Sequence, residues 1–176
     1  MSPEPARFPD SFTFGVGTSA YQVEGGIEND WSDWERAGKL KDPLARCGRS
    51  VDHWNRFGDD VGLIQQLGAT AYRLSIEWAR VEPEPGRFDD AAWAHYRQHL
   101  ELLCAKGIRP VVTLHHFTHP RWFHAQCPWH EPGCLLPQPG SRIVVTGIRS
   151  LIGFGNLVGP LAHSVLYLRP SSRCAH

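Results

Sequence analysis

Thr113-Leu114-His115-His116-Phe117-Thr118-His119-Pro120 is the stretch on which the fold of this chain turns. It follows a short apolar, β-branched run, Ile108, Val111 and Val112, and ends in a proline that stops a strand. Hydrogen-bonding side chains are thus bunched where a buried strand emerges into a loop. In a parallel α/β architecture, that carboxyl end of a strand is where ligands bind.

Working outward, residues 108–114 form the strand and the preceding segment a helix. Trp93, Tyr96, Leu100 and Leu103 recur every three or four residues; Asp89 or Asp90 is placed as N-cap and Lys106-Gly107 closes the helix. Glu82-Pro83-Glu84-Pro85-Gly86-Arg87 is a turn. Before it, residues 69–76 predict a second strand that carries Arg73 among apolar neighbours, too apolar a setting for a solvated arginine. Trp54, Phe57, Val61, Ile64 and Leu67 mark another helix, with Gly68 at its C-cap. Residues 12–20 alternate and predict a first strand that runs into Tyr21-Gln22-Val23-Glu24-Gly25-Gly26, where Gln22 and Glu24 share a side. The Trp- and Asp-rich segment 29–35 and the polar passage to about Ser50 read as one long βα loop, of the kind that covers a ligand. The order β-α-β-α-β predicts parallel strands in a right-handed winding.

Composition narrows the function classes. A chain of 176 residues with 41% hydrophobic and 20% charged content is globular rather than disordered. Its net charge of zero gives no reason to expect a nucleic-acid partner. The charge is uneven, however. Residues 1–131 hold all 18 acids against 14 Lys+Arg, whereas 132–176 hold Arg142, Arg149, Arg169 and Arg173 with no lysine and no acid. A boundary is therefore expected near 131/132. Met1-Ser2-Pro3-Glu4-Pro5-Ala6-Arg7-Phe8 lacks the charged and apolar regions of an export signal, which predicts a cytoplasmic protein. Cys47, Cys104, Cys127, Cys134 and Cys174 are odd in number and irregular in spacing, and read as reduced thiols.

Three motifs occur in order with helices between them: Tyr21-Gln22-Val23-Glu24-Gly25, Tyr72-Arg73-Leu74-Ser75-Ile76-Glu77-Trp78-Ala79-Arg80, and the stretch 113–120. Together they resemble the opening third of a glycoside hydrolase family 1 enzyme, the β-glucosidase family, over residues 8–131. The resemblance implies a partial (β/α)8 TIM barrel, about the first three βα units, with an atypical C-terminal tail. It implies hydrolysis of β-glycosides with retention, acting on a small-molecule glycoside and needing neither metal nor cofactor. By the same resemblance Gln22 and His116 are ligands for sugar hydroxyls, and Arg73 lies against the nucleophilic carboxylate and holds it ionised. His115 and Phe117 support them, although Phe117 stands where the family often has tryptophan. Read from the residues alone, Gln22 fits equally an amide that satisfies strand-end backbone groups.

Neither carboxylate motif of the family, Asn-Glu-Pro or Glu-Asn-Gly, occurs in the 176 residues. His130-Glu131-Pro132 imitates the first but follows His116 too closely to leave room for a third helix and fourth strand. The expectation is a chain with no catalytic residue of its own, inactive as written. Residues 132–176 match nothing in the family and read as frameshifted or disordered. A membrane span over 143–168 is opposed by Arg149, Asn156, Pro160 and His163. Two rival functions are a sugar-binding remnant without cleavage, and a His/Cys metal site built on His115, His116, His119, His124 and His130 with Cys127 and Cys134.

Overall fold

The computed structural model describes residues 7–42 and 45–126, together with the backbone of residues 165–167. Three parallel strands lie side by side in chain order: β1 (Gly15–Gly17), β2 (Ala71–Ser75) and β3 (Arg109–Thr113). Their register aligns Gly17 with Arg73 and Arg73 with Val111. Helix α3 (His53–Gln66) joins the first pair of strands and α5 (Asp90–Ala105) the second. The predicted helix limits follow from their end chemistry. Gly68 and Gly107 take φ of +72° and +70° just past the two helices, a region that is free for glycine and strained for other residues. The Asp89 side chain accepts the Ala92 amide at 2.9 Å and starts α5.

The core lies between these helices and one face of the sheet. Val61 and Ile64 from α3, Tyr96, Leu100 and Leu103 from α5, and Tyr72, Leu74 and Val112 from the strands make one buried cluster. Each large apolar side chain contributes about 1.5–3 kcal/mol on burial. The opposite face of β2 carries Arg73, which is exposed within the pattern buried-buried-exposed-buried-buried. This corrects the expectation that apolar neighbours exclude a solvated arginine. Strand alternation turns Arg73 away from Tyr72 and Leu74, so their hydrophobicity says nothing about its side of the sheet.

Two further elements differ from expectation. The first strand is short, and Ala20–Val23 (α1) is a single helical turn whose first amide donates to the Ser75 hydroxyl at 2.7 Å. Gln22 and Glu24 therefore do not share a side: Gln22 is exposed and Glu24 is buried. The expected loop at 29–35 contains helix α2 (Asp30–Arg36), begun by a reciprocal capping box between Asn29 and Ser32. Short helices α4 (Trp78–Val81) and α6 (Arg121–Gln126) follow β2 and the 113–120 stretch.

A fourth strand, β4 (Val165–Tyr167), pairs antiparallel with the outer edge of β3 and sets Leu166 opposite Val112. The rest of the 132–176 tail, including the segment considered as a membrane span, lies outside the described residues, as do Glu131 and His130. Among the described residues no helix is long and apolar enough to cross a membrane.

Candidate functional site

The carboxyl ends of β1, β2 and β3 bring the three motifs together. After β1, the α1 turn lifts Gln22 into solvent while its backbone is tied down. The Ser19 hydroxyl donates to the Gln22 side-chain oxygen and the Ser50 hydroxyl to the Gln22 carbonyl. One lone pair on that oxygen and both amide hydrogens remain for a ligand. Gly25, with φ +80°, is where the loop at Arg49 crosses: a Cβ there would stand 2.1 Å from the Arg49 carbonyl oxygen. Only glycine permits that approach.

After β3, Arg73 and His116 meet. The Arg73 guanidinium lies 3.4 Å from His116 Nδ1. A guanidinium only donates, so Nδ1 accepts and the ring proton sits on Nε2. Partial burial, and then the charge of Arg73, push the His116 pKa down and keep the ring neutral. The result is an Nε2–H donor beside an exposed cation. Phe117 takes φ +54°, a strained value for an aromatic residue. Its ring meets Tyr21 edge-on at 6.3 Å and Trp31 at 5.0 Å, which joins the turn bearing Gln22 to the loop bearing His116. Among the described residues no hydrogen bond links Gln22 to His116 or Arg73.

Behind this surface runs a layer of buried polar groups. His115 Nε2 and His119 Nε2 are 3.1 Å apart, and His119 Nδ1 lies 3.1 Å from Asp30 Oδ2. Asp30 Oδ1 also accepts the His119 amide at 2.7 Å, so α2 and the 113–120 stretch are stitched together. Desolvation, then the neighbouring His119, lowers the His115 pKa to about 4. Glu77 is 2% exposed and is held by Thr118 Oγ1 at 3.0 Å and Asn29 Nδ2 at 3.3 Å. Burial raises its pKa. Glu24 is 4% exposed and accepts from Tyr96 Oη at 2.7 Å and Arg80 Nε at 2.8 Å. Desolvation outweighs both partners and raises its pKa to about 7. Glu82, fully buried, accepts from Trp78 Nε1 at 2.7 Å and the Gly86 amide at 2.9 Å.

Chemically, the groups at this end of the sheet, the Gln22 amide, the His116 imidazole and the Arg73 guanidinium, are hydrogen-bond donors and acceptors. Glu24, Glu77 and Glu82 are each engaged by donors inside the molecule. Retaining glycoside cleavage needs two carboxyl groups about 5–5.5 Å apart on either side of the scissile bond. The metal alternative divides: His130, Cys127 and Cys134 fall outside the described residues, and among the described residues no three His, Cys, Asp or Glu groups are placed to hold a metal ion. Glu24, Glu77, Glu82 and Asp30 escaped the sequence reading as a network, since burial of a carboxylate depends on partners up to 89 positions away.

The family model for glycosyl hydrolase family 1 matches residues 4–135. A β-glucosidase of Arabidopsis thaliana, beta-glucosidase 42, is 39% identical over 127 residues, which are 65% of this chain and 25% of that protein. Among solved structures, a β-glycosidase from Pyrococcus horikoshii superposes with a TM-score of 0.71 at 38% identity, covering 84% of this chain and 34% of that one. A family 1 β-glucosidase from Thermotoga maritima gives 0.63 at 33% identity, covering 68% and 28%. The chain thus spans about a quarter of the length of the curated relatives it matches. Three ordered motifs, three parallel βα units and the family model converge: the chain belongs to glycosyl hydrolase family 1, a family of (β/α)8 barrels of which it presents a part.

Proposed function

We propose that this chain forms the glycone-recognising part of a retaining β-glycosidase site and does not cleave glycosides by itself. Gln22 and His116 bind sugar hydroxyls, while Arg73, His115 and Phe117 set their geometry. The observation that carries this reading is the His116–Arg73 pair. A neutral imidazole that keeps its Nε2–H as a donor, beside an exposed guanidinium, suits a hydroxyl oxygen and a neighbouring carboxylate supplied from elsewhere. Thermotoga maritima β-glucosidase has been solved with a substituted glucoimidazole and with castanospermine, which supports a sugar-like ligand as probe. The missing Asn-Glu-Pro and Glu-Asn-Gly motifs support the absence of turnover.

Two measurements on the full chain test the two halves. With an aryl β-glucoside, hydrolysis stays at buffer background; turnover by the wild type overturns the non-cleaving half. Titration with glucoimidazole shifts the Gln22 side-chain amide and the His116 ring in NMR spectra. Gln22→Ala and His116→Ala each weaken binding about tenfold, as expected for the loss of one hydrogen bond. No shift at either group overturns the recognition half.

We read residues 132–176 as outside the family's reading frame, supported by the change in charge at 131/132 and a family match that stops at 135. Translation of the coding DNA beyond codon 131 in the other two frames recovers a helix followed by Asn-Glu-Pro on this reading; its absence in both removes it. A cytoplasmic location goes with this proposal, supported by Cys47, which has no disulfide among the described residues.

A further inference from the structure

The Gln22 turn is held from a direction that the sugar site does not use. Glu24, two residues after Gln22, turns into the interior, where its carboxylate meets groups contributed by the second βα unit. Tyr96 on α5 donates its hydroxyl to Glu24 Oε1 at 2.7 Å, while the same oxygen of Tyr96 accepts the Glu77 amide at 3.0 Å. Arg80, at the end of α4, donates Nε–H to Glu24 Oε2 at 2.8 Å and a second N–H to the Gly25 carbonyl at 2.5 Å. The guanidinium is fixed on its other face by Trp54, whose ring lies 4.0 Å away and stacks in turn on His95 at 3.8 Å. Trp54 also donates its amide to the Glu24 carbonyl at 3.3 Å. The Glu24 carboxylate and the Glu24 and Gly25 carbonyls are therefore held by α3, α4 or α5, whereas Gln22 itself reaches only Ser19 and Ser50.

We infer that Glu24, held by Arg80 and Tyr96, is a positioning residue of the glycone subsite: it fixes the turn from which Gln22 presents its amide. The inference rests on the proposed role of Gln22 in sugar recognition. A one-turn helix of four residues has no stability of its own, since helix nucleation is unfavourable without tertiary contacts. Its orientation must come from the groups that grip its end. Arginine is required at position 80 because the fork donates in two directions while its flat face stacks; a lysine keeps the charge and loses both features.

The test compares the full chain with Tyr96→Phe, Arg80→Met and Arg80→Lys by NMR-detected amide exchange and glucoimidazole titration. In Tyr96→Phe and Arg80→Met, amides of residues 22–26 exchange about tenfold to hundredfold faster, the range for losing a hydrogen bond to a charged group. Leu74 and Leu103 amides keep their wild-type rates, and the Gln22 side-chain amide resonance moves toward its free position. Glucoimidazole affinity falls in parallel, and Arg80→Lys recovers little of either loss. Wild-type exchange in all three variants overturns the inference. So does loosening that leaves the Gln22 resonance and the affinity unchanged, since the link is then structural only. If Arg80→Met loses core protection throughout, Tyr96→Phe, which removes a single oxygen, decides the outcome by the same criteria. A wild-type chain that binds no glucoimidazole overturns the sugar reading; the Gln22 resonance and the exchange rates then still decide whether Glu24 fixes the turn.

Discussion

The two segments proposed to meet a sugar, the Gln22 turn and the His116 loop, stand at strand ends on either side of β2 but are supported by opposite chemistry. Behind Gln22 sits an acid whose burial raises its pKa from 4.5 to about 7. Behind His116 sits a base, His115, whose burial lowers its pKa from 6.5 to about 4. Both are kept near neutrality by desolvation, and the consequences with pH have opposite sign. For Glu24 the folded pKa exceeds the unfolded one, so its contribution is complete below about 4.5 and is lost as pH rises through about 7. For His115 the folded pKa is depressed, so its contribution is present above 6.5 and is lost as pH falls toward 4. The Gln22 side is thus held best below about 4.5 and the His116 side above about 6.5, and between these values one side loses as the other gains.

Substitutions break this comparison in order of expected size. Gly25→Ala acts on the Gln22 side, where a Cβ meets the Arg49 carbonyl at 2.1 Å in a positive-φ position. A loss above about 3 kcal/mol in the urea midpoint is expected, since both clash and strain act. A near-neutral result means that the loop at Arg49 moves freely. Next comes the pH response itself. The stability difference between wild type and Glu24→Gln changes by about 2–3 kcal/mol between pH 4.5 and 7.5, with wild type losing ground as pH rises. Parallel curves dissolve the contrast between the two segments.

On the other side, His119→Ala removes the nearer of the two imidazoles at Asp30, His124 standing at 3.7 Å, and takes His119 away from His115. About 2 kcal/mol is expected in thermal or urea unfolding, with the His116 ring displaced in NMR spectra. Smallest is Phe117→Gly. Relief of the strained φ of +54° offsets the ring contacts with Tyr21 and Trp31, so the net change stays within about 1 kcal/mol. A loss above about 3 kcal/mol shows that the ring contacts dominate.

How much of this was legible in the sequence follows the range of the forces involved. The helix at His53–Gln66 and the one at Asp90–Ala105 were visible because their apolar period and their glycine ends are local. The stretch 113–120 stood out as a candidate, since polar residues after an apolar strand need no distant knowledge. The turn at Ala20–Val23 was hidden because four residues carry no period and the Ser75 hydroxyl that receives its first amide lies 55 positions on. Arg73 was misjudged for a related reason. Its neighbours in sequence face the core, and its own surroundings are set by β1 and β3. The Glu24–Arg80–Tyr96 grip spans 56 and 72 positions and leaves no trace in spacing.

The antiparallel strand β4 has a consequence for how the sheet propagates. Along β3, residues 109 and 113 direct their backbone groups toward β2, which leaves the N–H of Val112 as the outward donor, because Pro110 has none. Leu166 stands opposite that residue with its chain running the other way. A parallel neighbour uses slanted bonds from alternate residues of the same edge, so it and β4 compete for one N–H and one carbonyl. While β4 is seated, a further parallel strand is kept from β3, and among the described residues the edge left for one is that of β1.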